Sequence, residues 1–192
     1  MKLTILALAT VLTGVTGMQA ASITYIANLS GANENPSNAS PGTGSAVVTI
    51  DTVAHTLQVD VTFSGLSGTT TAAHIHCCVA APGNVGVATV TPTLTGFPSG
   101  VTSGAYSHIF DTTLTGTFNA PFVTANGGTA AGAEAALANG LAAGTAYLNI
   151  HTSTFGGGEI RGFLTPVPEP GTFVLAGFAL AGVVIRRRRS AL

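Results

Sequence analysis

Charge is what this chain has least of. Asp, Glu, Lys and Arg make up 7% of 192 residues, six bases against seven acids, for a net charge of −1. Five of the six bases lie at the ends: Lys2, then Arg186, Arg187, Arg188 and Arg189. Between residues 22 and 165 Arg161 stands alone against Glu34, Asp51, Asp60, Asp111, Glu134 and Glu159. With no basic patch to neutralise phosphates, nucleic-acid binding is ruled against. Cysteine is scarce as well, limited to the adjacent pair Cys77 and Cys78. Helical periodicity is nearly absent. No Ser-His-Asp order or nucleophile elbow is present, and no glycine loop of the phosphate-binding kind leads into a helix. Six scattered acids do not make the paired carboxylates of a glycosidase.

Long apolar runs are confined to the two ends. At the N-terminus Lys2 precedes an apolar stretch over residues 3–15 and then small residues, with a cut expected at Ala20 or Ala21. Residues 1–21 therefore read as a secretory signal, with an uncleaved anchor as the competing reading. At the C-terminus an apolar run over residues 172–185 ends in four arginines. A spanning helix needs roughly 20 apolar residues. This run is marginal, and arginine snorkelling brings it to length. Guanidiniums stay on the cytoplasmic side, which leaves the middle of the chain outside the cytoplasm.

Val167, Pro168, Glu169, Pro170 and Gly171, the apolar segment and Arg186, Arg187, Arg188 and Arg189 together resemble a PEP-CTERM sorting signal. The resemblance implies an exosortase-like membrane transpeptidase as partner. It also implies a Gram-negative exopolysaccharide producer. The Pro-Glu-Pro turn is rigid and exposed, as a processing enzyme needs. Residues 166–192 are thus expected to be a sorting and transmembrane tail.

The middle, residues 22–165, is one domain's worth of chain. Residues 56–63 place Leu57, Val59, Val61 and Phe63 on one face and Gln58, Asp60 and Thr62 on the other, a half-buried antiparallel strand. Residues 45–51 read as its hairpin neighbour. Further strands are expected over 23–29, 72–77, 86–90, 106–112, 146–152 and 159–165. An alanine-rich stretch over 130–143 reads as a short helix. The pattern predicts an all-β, Greek-key-like antiparallel β-sandwich with one short helix. Residues 165–167 read as the linker to the tail.

Histidine carries the candidate chemistry. On an extended strand His74 and His76 share one face, with about 7 Å between Cα atoms. Tyr147, Asn149 and His151 share a face in the same way. Three imidazoles converging from neighbouring strands would hold copper or zinc. The competing reading is that they hydrogen-bond backbone and stiffen a sheet edge. Glu159 and Arg161 also share a face on their strand. Arg161, alone among acids, is expected to pair with Glu159, Glu34 or Asp60. It would serve as a structural ion pair, or orient a ligand histidine. Cys77 and Cys78 follow His76 directly. They can form a vicinal disulfide, bind a soft metal such as Cu(I), or stay free or pair between molecules.

Leu29, Gly31, Glu34 and Pro36, then the run Ala73, His74, Ile75 and His76, then Tyr147, Asn149, Ile150, His151 and Thr152, then Gly158, Glu159, Ile160, Arg161 and Gly162 resemble the CHRD domain. That module is named for chordin and occurs in bacterial exported proteins. The resemblance spans about residues 22 to 164 and implies an all-β domain with no established enzyme activity. The adjacent cysteines depart from the family pattern.

The resulting expectation is an exported, non-enzymatic binding or structural protein. It is anchored in the inner membrane by its tail, then held at the cell surface or in exopolysaccharide, with polysaccharide or extracellular protein as partner. The alternative is an extracellular copper- or zinc-binding protein using His74, His76 and His151. A metal-dependent redox enzyme has less in its favour. The likeness to Cu/Zn superoxide dismutase stops at a His-x-His strand, without the bridging histidine or the disulfide layout.

Overall fold

Period-two alternation builds the sheet. A computed structural model describes residues 22–167. In it β1 (Ser22–Ser30), β2 (Thr43–Asp51) and β3 (Thr56–Ser64) form a meander in unbroken register. Tyr25, Ala27 and Leu29 face the core, as do Ala46, Val48 and Ile50, and Leu57, Val59, Val61 and Phe63. Each full burial of a Val, Leu or Phe contributes about 1.5–3 kcal/mol. Thr, Ser, Asn, Asp and Gln take most of the alternate positions and face water, with Ile26 and Val47 exposed among them.

The remaining strands are β4 (Thr70–Cys77), β5 (Gly104–Asp111), β6 (Ala146–Thr152), β7 (Ile160–Phe163) and β8 (Thr165–Pro166). The order is β4-β6-β7-β1-β2-β3-β5, with β8 on β1. Every pairing is antiparallel.

The all-β class holds, but the two-sheet sandwich is corrected to a single sheet curled into a half-barrel. Connectivity supplies the reason. The successive strands β4 and β5 lie at opposite ends of the path, so residues 78–103 must cross from one side to the other. The chain then returns to β6 through two helices, α1 (Ala120–Ala125) and α2 (Ala130–Ala142). These crossings bury Leu94, Phe97, Ala133, Leu137 and Leu141 where a second sheet would stand.

The expected helix over 130–143 is α2, capped by the Thr129 hydroxyl accepting from the Gly132 N–H. Helix α1 was not foreseen. Its start carries Pro121 in the first turn, where a missing N–H costs nothing.

Two further expectations are corrected. Residues 86–90 form no strand; they make isolated bridges at Val87 and Thr89. The Ala88 N–H donates to the Ile75 carbonyl and the Leu94 N–H to that of Ala73. The segment thus runs along the free edge of β4 and covers it. Residues 165–167 are no loose linker: Tyr25 pairs with Pro166, Ile26 with Thr165, and the Val167 N–H reaches the Thr24 carbonyl.

Among the described residues no helix is long and apolar enough to cross a membrane. The expected signal over 1–21 lies outside the described residues. So does the expected spanning tail, with Pro168, Glu169, Pro170 and the arginines at 186–189.

Candidate metal centre

Strands β4 and β6 are buried on both faces. One face turns Ala73, Ile75, Leu148 and Ile150 into the core; the other presents His74 and His76 from β4 and Tyr147, Asn149 and His151 from β6. Register sets His74 opposite Asn149, His76 opposite Tyr147 and Ala72 opposite His151. Loops 31–38 and 78–93 lie against this second face and seal it. His74 is 7% exposed and His76 8%.

The three histidines come together. One ring nitrogen from each of His74, His76 and His151 lies within 4.8 Å of the other two. Backbone carbonyls hold the opposite nitrogens. His74 Nε2 bonds the Pro92 carbonyl at 2.8 Å, His76 Nδ1 that of Val85 at 2.8 Å, and His151 Nδ1 that of Gly156 at 3.0 Å. A carbonyl only accepts, so each of these nitrogens carries the proton. Each ring then turns a lone pair inward.

Burial keeps the rings neutral. Desolvation outweighs the carbonyl bond at His76 and, with the neighbouring His151, His74 and Arg161, pushes its pKa down to about 4. His74 is lowered mainly by burial and then by His151, against the pull of Pro92. Burial also lowers His151, against its Gly156 bond.

Among the described residues five buried side-chain polar atoms have no hydrogen-bond partner: His74 Nδ1, His76 Nε2, His151 Nε2, Asn149 Oδ1 and Glu34 Oε1. Buried polar groups are normally paired. The inward nitrogens could serve as metal ligands, and the carbonyl bonds on the outer nitrogens would then be their second shell. Three imidazole nitrogens this close together could hold one copper or zinc ion, which imidazole suits.

Arg161 staples the cover. It is 1% exposed. Its Nε donates to the Asn33 carbonyl at 2.6 Å, its Nη1 to Asn84 Oδ1 at 2.6 Å and its Nη2 to the Pro82 carbonyl at 2.8 Å. Its guanidinium lies 4.8 Å from the Tyr147 ring centre, and Tyr147 stacks on His76 at 4.7 Å. The acid it reaches is Glu34, at 3.7 Å, and not Glu159 or Asp60. Desolvation lifts Glu34 to about 7 despite the opposing pull of Arg161.

A family model for the CHRD domain matches residues 25–164. The chain belongs to the CHRD family. A PEP-CTERM protein-sorting motif matches residues 166–189. It marks the CHRD protein for export and for surface or membrane association through an exosortase-type system. Searches of curated proteins and of solved structures return no match.

Within the CHRD domain the other candidates fall elsewhere. Glu159, fully buried, accepts from the Ser40 and Thr152 hydroxyls and the Ser67 and Gly68 amides. It closes a turn and does not touch Arg161. Cys77 and Cys78 form a vicinal disulfide seated on α2. A Cβ at Gly140 would collide with both sulfurs, so only glycine lets the helix approach. His55 bonds Glu134 at 2.9 Å on the far side of the sheet. His108 stands on β5 among Tyr106 and Phe110.

Sequence reasoning did not find the three carbonyls that orient the imidazoles. They come from loops, and carbonyls leave no mark on residue identity.

Proposed function

We propose that this CHRD protein is an exported, exosortase-sorted surface protein. Its outer domain holds one copper or zinc ion between His74, His76 and His151, in a non-enzymatic binding role. One observation carries the reading: three buried imidazole lone pairs, each without a partner, share one small space while their other nitrogens are tied to carbonyls. A merely structural histidine would have both nitrogens satisfied or one in water. The lone-pair atoms have no open side to solvent, which favours holding an ion over turning over a substrate. The outer face of β1, β2 and β3 mixes Thr, Ser, Asn and Gln with the exposed Ile26 and Val47, which suits contact with polysaccharide or extracellular protein.

The test uses the full chain, expressed with both ends and purified in mild detergent. After chelation it is dialysed against copper or zinc, and metal content and melting temperature are measured. One ion per chain is expected, with a stability gain of about 2.7 kcal/mol when free metal is a hundredfold over Kd. His74→Ala and His151→Ala should remove both the ion and the gain. A chain that binds no metal, with both substitutions only lowering the melting temperature, would leave the cluster a structural one.

A further inference from the structure

We infer that the three-histidine site selects a singly charged, three-coordinate ion, Cu(I), over Zn(II) and Cu(II). The inference rests on the metal reading above and concerns which ion that site takes.

The ligand set brings no negative charge. Among the described residues the cluster consists of three histidines, with no carboxylate or thiolate in it. The thiols beside it are consumed in the Cys77–Cys78 disulfide. The carbonyl bonds place each imidazole's proton on the outer nitrogen, and a ring that ligates through its inner nitrogen is neutral. A bound ion therefore keeps its full charge.

The surroundings do not offset that charge. The near cation is Arg161, one ring away through Tyr147. Glu34 is engaged with Arg161 and balances that guanidinium at most. The Asn149 amide lies against the Gly158 backbone beside Glu34 and is uncharged. All three lone-pair atoms are sealed from solvent, so hydroxide or chloride has no open side from which to enter as a counter-ion.

The cost of desolvating an ion grows with the square of its charge, so a bare dication is far dearer here than a monocation. Coordination number points the same way. Zn(II) is almost always four-coordinate in protein sites, whereas closed-shell Cu(I) is satisfied by three nitrogens in a plane. Imidazole suits copper.

The experiment titrates the chelated full chain in detergent under anaerobic conditions. Cu(I) is measured against bicinchoninate, and Zn(II) and Cu(II) against indicators of matched affinity. One Cu(I) per chain is expected, held on the order of 100-fold more tightly than Zn(II), because an unneutralised dication gives up far more hydration than a monocation. X-ray absorption should show three nitrogen neighbours. Asn149→Asp places a carboxylate opposite His74 and should narrow the preference by about tenfold or more. His151→Gln, at the least buried of the three, keeps the sheet intact and should lose Cu(I). Zn(II) or Cu(II) held as tightly as Cu(I) would overturn the inference and leave the metal reading standing. A chain that takes up none of the three ions sinks both.

Discussion

Glu159 shows how one buried carboxylate holds a corner of the sheet. Burial opposes its charge, but the Ser40 and Thr152 hydroxyls and the Ser67 and Gly68 amides outweigh burial and hold its pKa below the ordinary value. A carboxylate whose folded pKa is depressed adds stability above its unfolded pKa. That stability is lost as pH falls through the folded value. Glu159→Gln should cost roughly 2 kcal/mol at neutral pH, because hydrogen bonds to a charge are strong and the amide misplaces a donor. Urea unfolding from pH 7 down to strongly acid pH checks this: the stabilities of wild type and variant should converge in acid. A constant gap would mean that charge plays no part. Residue faces were the most legible feature of the sequence, since a strand's period of two sets them. His74 with His76, and Tyr147 with Asn149 and His151, share faces as their spacing requires. Their meeting was not legible, because β4 and β6 pair across some seventy residues of chain. The partner of Arg161 was equally hidden. Glu34, Glu159 and Asp60 look alike in the sequence, and only the fold of loop 31–38 brings Glu34 beside it.

The loops that seal the centre depend on elements, and Arg161 on β7 is their common tether. It bonds carbonyls at Asn33 and Pro82 and the side chain of Asn84 in one fork. A lysine there cannot reproduce the fork. Arg161→Lys should cost about 3 kcal/mol and raise amide exchange over 31–36 and 81–87 before any other region. Because Val85 orients His76, metal affinity should fall with it, although residue 161 is no ligand. Exchange that rises uniformly over the sheet would refute this tethering role. Helix α2 offers the opposite kind of test. In an exposed helix Gly→Ala adds up to about 1 kcal/mol of stability. At Gly140 the methyl meets Cys77 and Cys78 sulfurs, and overpacking costs about 1–3 kcal/mol. Gly140→Ala should therefore lower the melting temperature. Elements were legible where a sheet face alternates, as in β1, β2 and β3. They were misread where apolar residues follow backbone instead of a face. Residues 86–90 carry strand-like Val and Thr but lie along the edge of β4 and form only isolated bridges. The sandwich expectation failed for a related reason: nothing in residues 78–103 announces that this loop crosses the sheet and closes it.

At the scale of the whole molecule the domain and its address are joined without slack. Strand β8 pairs with β1 through Pro166, and the Val167 amide is still bonded to Thr24. The matched sorting motif begins at residue 166. The Pro168-Glu169-Pro170 sequence therefore follows directly on the last residue bonded to the sheet. A proline ring fixes its own φ, and Glu169 is the one acid in the tail. Replacing the three residues with alanine keeps the apolar run and the four arginines, so partition into the bilayer and orientation should persist. Recognition should not persist, because alanine permits helix where proline imposes a fixed turn. The expected outcome in a host with an exosortase is a full-length chain that stays in the membrane fraction with no processed form. Its outer domain should keep the melting temperature and metal uptake of the wild type, since the three histidines and the described core residues all lie before residue 165. Maturation unchanged in this variant, followed by immunoblot of membrane and medium fractions, would show that the turn is not what the sorting machinery reads.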